Sequence, residues 1–309
     1  GEVAIAGRRF RVLKQLGEGG YSFVYLVREA DGQMGLFAAK KVLCQNSEQL
    51  EAARAEIAAM NRFQHPSVLQ LLAYDIVEGC GPQRNHTEVW FLLPAYLDGS
   101  LWDFVESVKV GAGRIGVATT LALFKQVCEG LRAFHSHSPA WAHRDIKPHN
   151  ILVHNINSPE PTAVLMDLGS ARPARVEIRS RSEALRAQED AAAHCTAAYR
   201  APELFDVPSE CLLDEKADVW SLGCVLYYLV FGESPFEYAL GQNGGSIALA
   251  VLSGKVVWPP KGGVCEEAGV FRDLISYCLE SDPARRPAVA DVLREIEKLS
   301  ERHVDGEGS

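Results

Sequence analysis

The sequence predicts an α+β protein: a small antiparallel β-sheet lobe with one helix, followed by a larger, mainly helical lobe. Three observations predict it. The chain has 309 residues, beyond the size at which one hydrophobic core keeps growing, so two lobes are expected. Two β-prone runs, Phe10 to Leu16 and Phe23 to Val27, flank a glycine-rich turn near the start. Much later, Leu121, Phe124, Cys128, Leu131 and Phe134 or His135 recur at helical spacing, which marks Thr120 to Ser136 as a buried helix.

Composition narrows the function classes. Lys+Arg 31 against Asp+Glu 40 leaves a net charge of −9, so a nucleic-acid backbone is a poor partner and none is expected. The eight cysteines are scattered and show no C-x-x-C pair, a usage that suits reduced cytosolic thiols rather than a disulfide framework or a zinc site. No run of about 18 apolar residues occurs, so no membrane span is expected. The sequence opens Gly1-Glu2-Val3-Ala4-Ile5 without a methionine, and a native targeting or lipidation segment is expected to precede it.

In the small lobe, Leu16-Gly17-Glu18-Gly19-Gly20-Tyr21-Ser22-Phe23-Val24 reads as a hairpin. Its glycines let backbone amides approach phosphate oxygens with no Cβ in the way, although such a hairpin alone is more often a plain turn. Gly111-Ala112-Gly113-Arg114-Ile115-Gly116 fits G-x-G-x-x-G better, yet no strand precedes it, and it reads as a loop. Phe37 to Leu43 is a strand whose alternation puts Ala38 and Lys40 on one face and Lys41 on the other. Glu48 to Phe63 is alanine-rich and helix-prone, with Glu56 and Met60 on one face. The polar stretch Glu78 to Glu88 reads as a loop, and Trp90-Phe91-Leu92-Leu93 as a buried strand leading to Pro94-Ala95-Tyr96.

In the helical lobe, the helix over Thr120 to Ser136 delivers His143-Arg144-Asp145-Ile146-Lys147-Pro148-His149-Asn150, a base, a cation and a metal ligand in one short loop. Val164-Leu165-Met166-Asp167 follows as an apolar strand ending in an acid, 22 positions after Asp145. Hard cations that bridge phosphates take oxygen ligands, which suits a carboxylate there. Each residue alone has a bland role: an Asn in a turn, a Lys on the surface, an Asp capping a helix. Three coincidences at this spacing are much rarer than the functional arrangement. Ala201-Pro202-Glu203 follows, and then Asp218, whose bland role is a cap for the helix carrying Val219, Leu222 and Leu226.

The tract H-R-D-x-K-P-x-N makes the chain resemble a eukaryotic protein kinase of Ser/Thr type from about Phe10 to Leu299. The resemblance implies a bilobal kinase fold with a kinase domain over 10–299. Its N-terminal lobe would cover 10–96 with the hinge at 94–96, its C-terminal lobe 97–299, and 1–9 and 300–309 would be flanking tails. It implies ATP as co-substrate, Mg2+ as cofactor and protein substrates. Nucleotide binding falls to Gly17, Gly19, Val24, Ala38, Leu93, Pro94, Tyr96 and Leu152, with Ser22 standing where the family has a third glycine. Lys40 is assigned to the α/β-phosphates and to an ion pair with Glu56. Asp145 would accept or orient the hydroxyl proton, Lys147 would balance γ-phosphate charge, and Asn150 and Asp167 would hold magnesium. The family's D-F-G is D-L-G here, so Leu168 takes the place of an aromatic ring. Asp218 would anchor the catalytic loop, Arg286 would pair with Glu203, and Lys147 with Thr196 points to Ser/Thr substrates.

Within kinases, D-L-G-S, Ser22, C-T-x-x-Y-R-A-P-E and D-V-W-S-L-G-C-V-L-Y are most similar to the Numb-associated kinase family. That family implies an extra helix after A-P-E, for which the 14 residues between Glu203 and Asp218 leave room. Similarity to its acylated members implies a cytoplasmic protein attached to endomembranes such as the Golgi through an N-terminal segment. Between Asp167 and Cys195 the only hydroxyls are Ser170, Ser180 and Ser182, so activity is expected not to depend on phosphorylation there. Arg144, which ordinarily awaits a phosphate, would meet Glu177, Glu183, Glu189 or Asp190 instead. Arg172, Arg175, Arg179, Arg181 and Arg186 read as a solvated loop. The alternatives are a pseudokinase scaffold or binding module, and a small-molecule or lipid kinase; the segment from Thr196 to Glu203 argues against the latter.

Overall fold

The computed structural model describes residues 1–31, 35–82 and 85–307, in two units, Gly1–Leu97 and Asp98–Ser309. In the first unit, alternating apolar residues build six antiparallel strands: β1 (Glu2–Ile5), β2 (Arg8–Glu18), β3 (Ser22–Glu29), β4 (Leu36–Cys44), β5 (Ala73–Cys80) and β6 (His86–Pro94), in the order β1-β2-β3-β4-β6-β5. One face of the sheet buries Ile5, Phe10, Val27, Ala39, Trp90 and Leu92 together. The single helix among the described residues of this unit, α1 (Ser47–Arg62), starts where Asn46 accepts a hydrogen bond from the amide of Gln49, and it buries Ala53, Ile57, Ala59 and Met60.

Two expectations for this unit are corrected. Residues 1–9 are no mere tail, because Val3 and Ile5 alternate inward and β1 pairs with β2 from Glu2↔Arg11 to Ile5↔Arg8. The loop expected over Glu78 to Glu88 is shorter, since Val77↔Glu88 and Cys80↔His86 are paired; Gln83 and Arg84 lie outside the described residues. Ladder hydrogen bonds join backbone groups whatever the side chain, and an antiparallel ribbon tolerates a polar, wetted face.

The second unit is helical around α5 (Lys216–Phe231), which is buried on every side from Asp218 to Val230. Before it come α2 (Leu101–Val110), α3 (Val117–His135), β7 (Trp141–Ala142), β8 (Ile151–His154), β9 (Thr162–Leu165), β10 (Arg172–Pro173), β11 (Val176–Ile178), α4 (Arg181–His194) and β12 (Cys211–Leu213). After it come α6 (Pro235–Asn243), α7 (Ile247–Ser253), α8 (Arg272–Cys278) and α9 (Val289–Glu307). Leu121, Phe124, Cys128 and Leu131 of α3 are buried in this core, as their spacing predicts. Gly111 to Gly116 is a helix-to-helix connection, with Gly116 at the start of α3. Residues 300–307, expected as a tail, continue α9.

The extra helix is not where the family resemblance puts it. Between Glu203 and Asp218 the chain makes a short 3-10 turn and β12, which pairs antiparallel with β11. A helix stands on the other side of Ala201-Pro202-Glu203: α4 precedes that tract. Ser180 caps it by accepting from the amide of Glu183, and the following Ala/Glu/Gln/Arg-rich run has high helix propensity. The later tract contains Pro208, which lacks an amide donor, so a helix there is disfavoured.

Candidate active site

In the first unit, β-sheet register does the positioning. Gly17, Val24, Lys40 and Phe91 form one cross-strand row, and Leu26, Ala38 and Leu93 the row two along, so Val24, Ala38 and Lys40 share a face. The Lys40 ammonium lies 3.0 Å from Glu56 of α1, with both side chains largely withdrawn from water. Lys41 takes the opposite face, 3.7 Å from Glu88 and over the rings of Phe23 and Trp90. The glycine-rich turn is closed by the Gly19 amide donating to the Ser22 carbonyl at 2.8 Å. A Cβ on Gly19 would come within 2.9 Å of Ser22 Oγ, so a side chain there requires the Ser22 hydroxyl to turn away. Pro94 ends β6 opposite Phe37, and burial pushes the Tyr96 phenol up.

In the second unit a buried carboxylate organises the loop. Asp218 accepts from the amides of His143 at 2.8 Å and Arg144 at 2.9 Å, and His135 Nε2 lies 2.9 Å from the same carboxylate. Burial alone would push Asp218 up, but the His135 hydrogen bond and the charges around it hold it below the ordinary aspartate value. The capping role is not observed: Glu215 occupies the N-cap position, and Asp218 sits in the first turn of α5 facing the loop. Arg144 is held at φ 74°, in the left-handed region. The His143 ring donates from Nε2 to the Met166 carbonyl at 2.9 Å and accepts the Asp145 amide on Nδ1, which ties the loop to the end of β9.

Around Asp145 every partner is polar and specific. Thr196 Oγ1 donates to its Oδ1 at 2.7 Å, and Asn150 Nδ2 donates to its Oδ2 at 3.1 Å and to its carbonyl at 2.9 Å. Lys147 Nζ donates to Thr196 Oγ1 at 2.9 Å and lies 3.7 Å from the Asp145 carboxylate. With its amide nitrogen committed to Asp145, Asn150 has Oδ1 as its remaining donor atom to a metal. Strands β8 and β9 pair Ile151↔Leu165 and Leu152↔Val164, so Asn150 and Asp167 flank one end of a single hairpin despite their sequence separation. Asp167 is exposed at φ 59°, whereas Leu168 is buried with 1% of its surface exposed. An amide oxygen and a carboxylate are the hard donors that Mg2+ takes, and the pair fits that ion.

Two arginine–carboxylate clamps hold the segment that follows. Arg286 grips Glu203 with both terminal nitrogens, at 2.7 and 2.9 Å. Arg144 lies 2.8 Å from Asp190 of α4, and Arg172 donates to both oxygens of the same carboxylate. Of the four acids that could have met Arg144, Asp190 does. The neighbouring arginines are less free than a solvated loop implies: Arg175 pairs with Glu215 and Arg179 with Glu177. Sequence reasoning missed the polar role of His135, which helical periodicity counted as an alternative core position, and the capped start of α4, which Ser180 followed by Glu183 signals.

The sequence matches the protein kinase domain over residues 10–296. The chain belongs to the protein kinase family. This kinase is similar to serine/threonine-protein kinase 16 of Homo sapiens, 38% identical over 97% of this chain and 93% of the relative. It is similar to a probable serine/threonine-protein kinase of Dictyostelium discoideum, 32% identical over 96% of this chain and 95% of the relative. Serine/threonine-protein kinase ppk13 of Schizosaccharomyces pombe is 31% identical over 96% of the kinase chain and 92% of its own.

Proposed function

We propose that this kinase transfers the γ-phosphoryl group of ATP to serine and threonine hydroxyls of protein substrates. The observation that carries the reading is the network joining Asp145, Lys147 and Thr196, since a carboxylate and an ammonium meet there at a hydroxyl. The substrate oxygen bonds to the γ-phosphorus as the bond to the β–γ bridging oxygen breaks, the hydroxyl proton goes to Asp145, and ADP leaves. Lys147 offsets the charge on the transferring group, and Lys40, oriented by Glu56, holds the α/β-phosphates. Gly17, Gly19, Ser22, Val24, Ala38, Leu93, Pro94, Tyr96 and Leu152 bind the rest of the nucleotide, Pro94 through its carbonyl. Asn150 and Asp167 would hold Mg2+, which neutralises phosphate charge when bound.

All five residues that a pseudokinase tends to lose, Lys40, Glu56, Asp145, Asn150 and Asp167, are present. Net negative charge supports protein rather than nucleic-acid partners. Among the described residues no helix is long and apolar enough to cross a membrane. Attachment to endomembranes through an acylated segment ahead of Gly1 rests on similarity to the Numb-associated kinases; one acyl chain binds marginally, so a second signal is expected.

Radiolabelled ATP with a generic basic protein tests the activity. Asp145→Asn and Asp167→Ala should each lower kcat by orders of magnitude, with ATP binding surviving the first better. Turnover of Asp145→Asn comparable to wild type rejects the reading. Lys40→Met should be far more damaging than Lys41→Met; the reverse order would mean that the lysines have exchanged roles.

A further inference from the structure

The sheet face turned away from Val24, Ala38 and Lys40 carries a cross-strand row at the foot of the glycine-rich turn. Phe23, Lys41 and Trp90 stand opposite one another on β3, β4 and β6, so their side chains share that face. The Lys41 ammonium lies over both rings, 5.5 Å from each centroid, and 3.7 Å from the Glu88 carboxylate. Glu88 also accepts the Trp90 indole N–H at 3.1 Å, which closes the group on itself. Only 21% of the Lys41 side chain and 24% of the Glu88 side chain are exposed, although lysine and glutamate ordinarily face water. Phe23 follows Ser22, whose carbonyl takes the Gly19 amide, and the Tyr21 carbonyl accepts the amide of Leu43 at 2.8 Å. Those backbone bonds close the turn, and the Phe23 ring adds a side-chain hold at its foot.

We propose, on the kinase reading above, that Lys41 is a positioning residue for ATP binding: through the rings of Phe23 and Trp90 it sets the glycine-rich turn before the nucleotide arrives. Gly17, Gly19 and Gly20 give that turn little stiffness of its own. A cation drawn to two aromatic faces and to a carboxylate fixes the ring of Phe23, and with it the backbone at Ser22. A turn ordered in advance spares the nucleotide the entropic cost of ordering it, so the effect falls on ATP affinity. The groups assigned to the transfer itself, Lys40 and Asp145, do not touch this network, so kcat is little changed. The two neighbouring lysines thus serve one nucleotide from opposite faces of β4, Lys40 directly and Lys41 through the turn.

Calorimetric titration of the whole chain with ATP and Mg2+, beside steady-state kinetics on a generic basic protein, tests the role. Lys41→Met keeps the length of the side chain and loses the charge; it should weaken ATP binding and raise the KM for ATP by about three- to tenfold, with kcat within about twofold of wild type. Lys41→Arg should restore both, because a guanidinium also rests on aromatic faces and pairs with a carboxylate. Phe23→Leu should reproduce the loss, and Lys41→Met/Phe23→Leu should be no worse than the worse single variant, since both remove one contact. A mere brace of the sheet would lower the melting temperature of Lys41→Met and leave the ATP affinity of the folded protein unchanged. That result, additive losses in the double variant, or no rescue by Lys41→Arg overturns the positioning role and leaves the kinase reading standing. Should Lys41→Met not fold, Phe23→Leu at its half-buried position decides, and an unchanged ATP affinity there overturns the role. A wild-type chain that neither binds ATP nor transfers phosphate overturns the kinase reading, and the role of Lys41 with it.

Discussion

Two arginine–carboxylate clamps in the second unit use the same groups in different surroundings. The Arg286 side chain has no exposed surface and its partner Glu203 has 11%, and Arg286 also donates to the carbonyls of Lys216, Glu280 and Ser281. Arg144 and Asp190 remain 16% and 32% exposed, and Arg172 and His194 share the Asp190 carboxylate. The dry pair has no solvent to replace a lost partner, so it acts as a fixed brace. Water reaches the second pair, and one partner stands on α4, so it orders a segment without bracing the core.

The largest effect should come from breaking the dry clamp. Arg286→Ala leaves Glu203 and three carbonyls without their donor and should cost about 3–5 kcal/mol in a denaturant melt. A loss below about 1 kcal/mol would place this clamp in the same class as the wet one.

Asp190→Ala should spare stability and lower kcat/KM about ten- to hundredfold, or ~1.4–2.7 kcal/mol, by leaving Arg144 and Arg172 facing each other. Asp190→Glu should keep part of the activity. If the alanine variant melts early and keeps its rate, the contrast between the clamps is reversed.

Because Asp190 already occupies Arg144, a phosphate has little to add. Phosphatase-treated enzyme and a Ser180→Ala/Ser182→Ala variant should stay within about tenfold of the starting activity, ~1.4 kcal/mol. A larger loss in both, recovered by autophosphorylation where the serines remain, would make the wet clamp an ordinary phosphate switch.

The smallest effect concerns pH. Burial acts to raise Asp190, but Arg144 and Arg172 outweigh it and hold its pKa below the ordinary value. A depressed carboxyl contributes stability above its unfolded pKa and loses it as pH falls through the folded one. Hydrogen-exchange protection factors across α4 should therefore be steady near neutrality and fall only in acid, and Asp190→Asn should flatten that fall.

Much of the site was legible because its chemistry is contiguous. His143 to Asn150 lie in one loop, and the alternation that separates Lys40 from Lys41 follows from the period of a strand. The wet clamp was legible as a choice among four acids, and only the turn of α4 decides for Asp190. The misplaced helix was also written locally, in Ser180, Glu183 and the alanines after them, but the family pattern pointed past it. For Asp218 the residues alone gave a cap and the family resemblance an anchor for the catalytic loop; its hydrogen bonds to the amides of His143 and Arg144 and its contact with His135 need α3, α5 and the loop brought together.

By itself the sequence determined the strands flanking the glycine-rich turn, the strand of Lys40 and the buried helix α3, the paired lysines with opposite faces, and the acids and amides of the catalytic loop and of Asp167. These follow from periodicity and from covalent neighbours, which no packing can change. Tertiary structure alone decided that Cys211–Leu213 pairs with Val176–Ile178, that Asp190 rather than another acid meets Arg144, that His135 joins the Asp218 carboxylate, and that Trp102 stacks on His149. Each of these contacts joins residues many positions apart, so it exists only once the hydrophobic core around α5 has set where the separate elements lie.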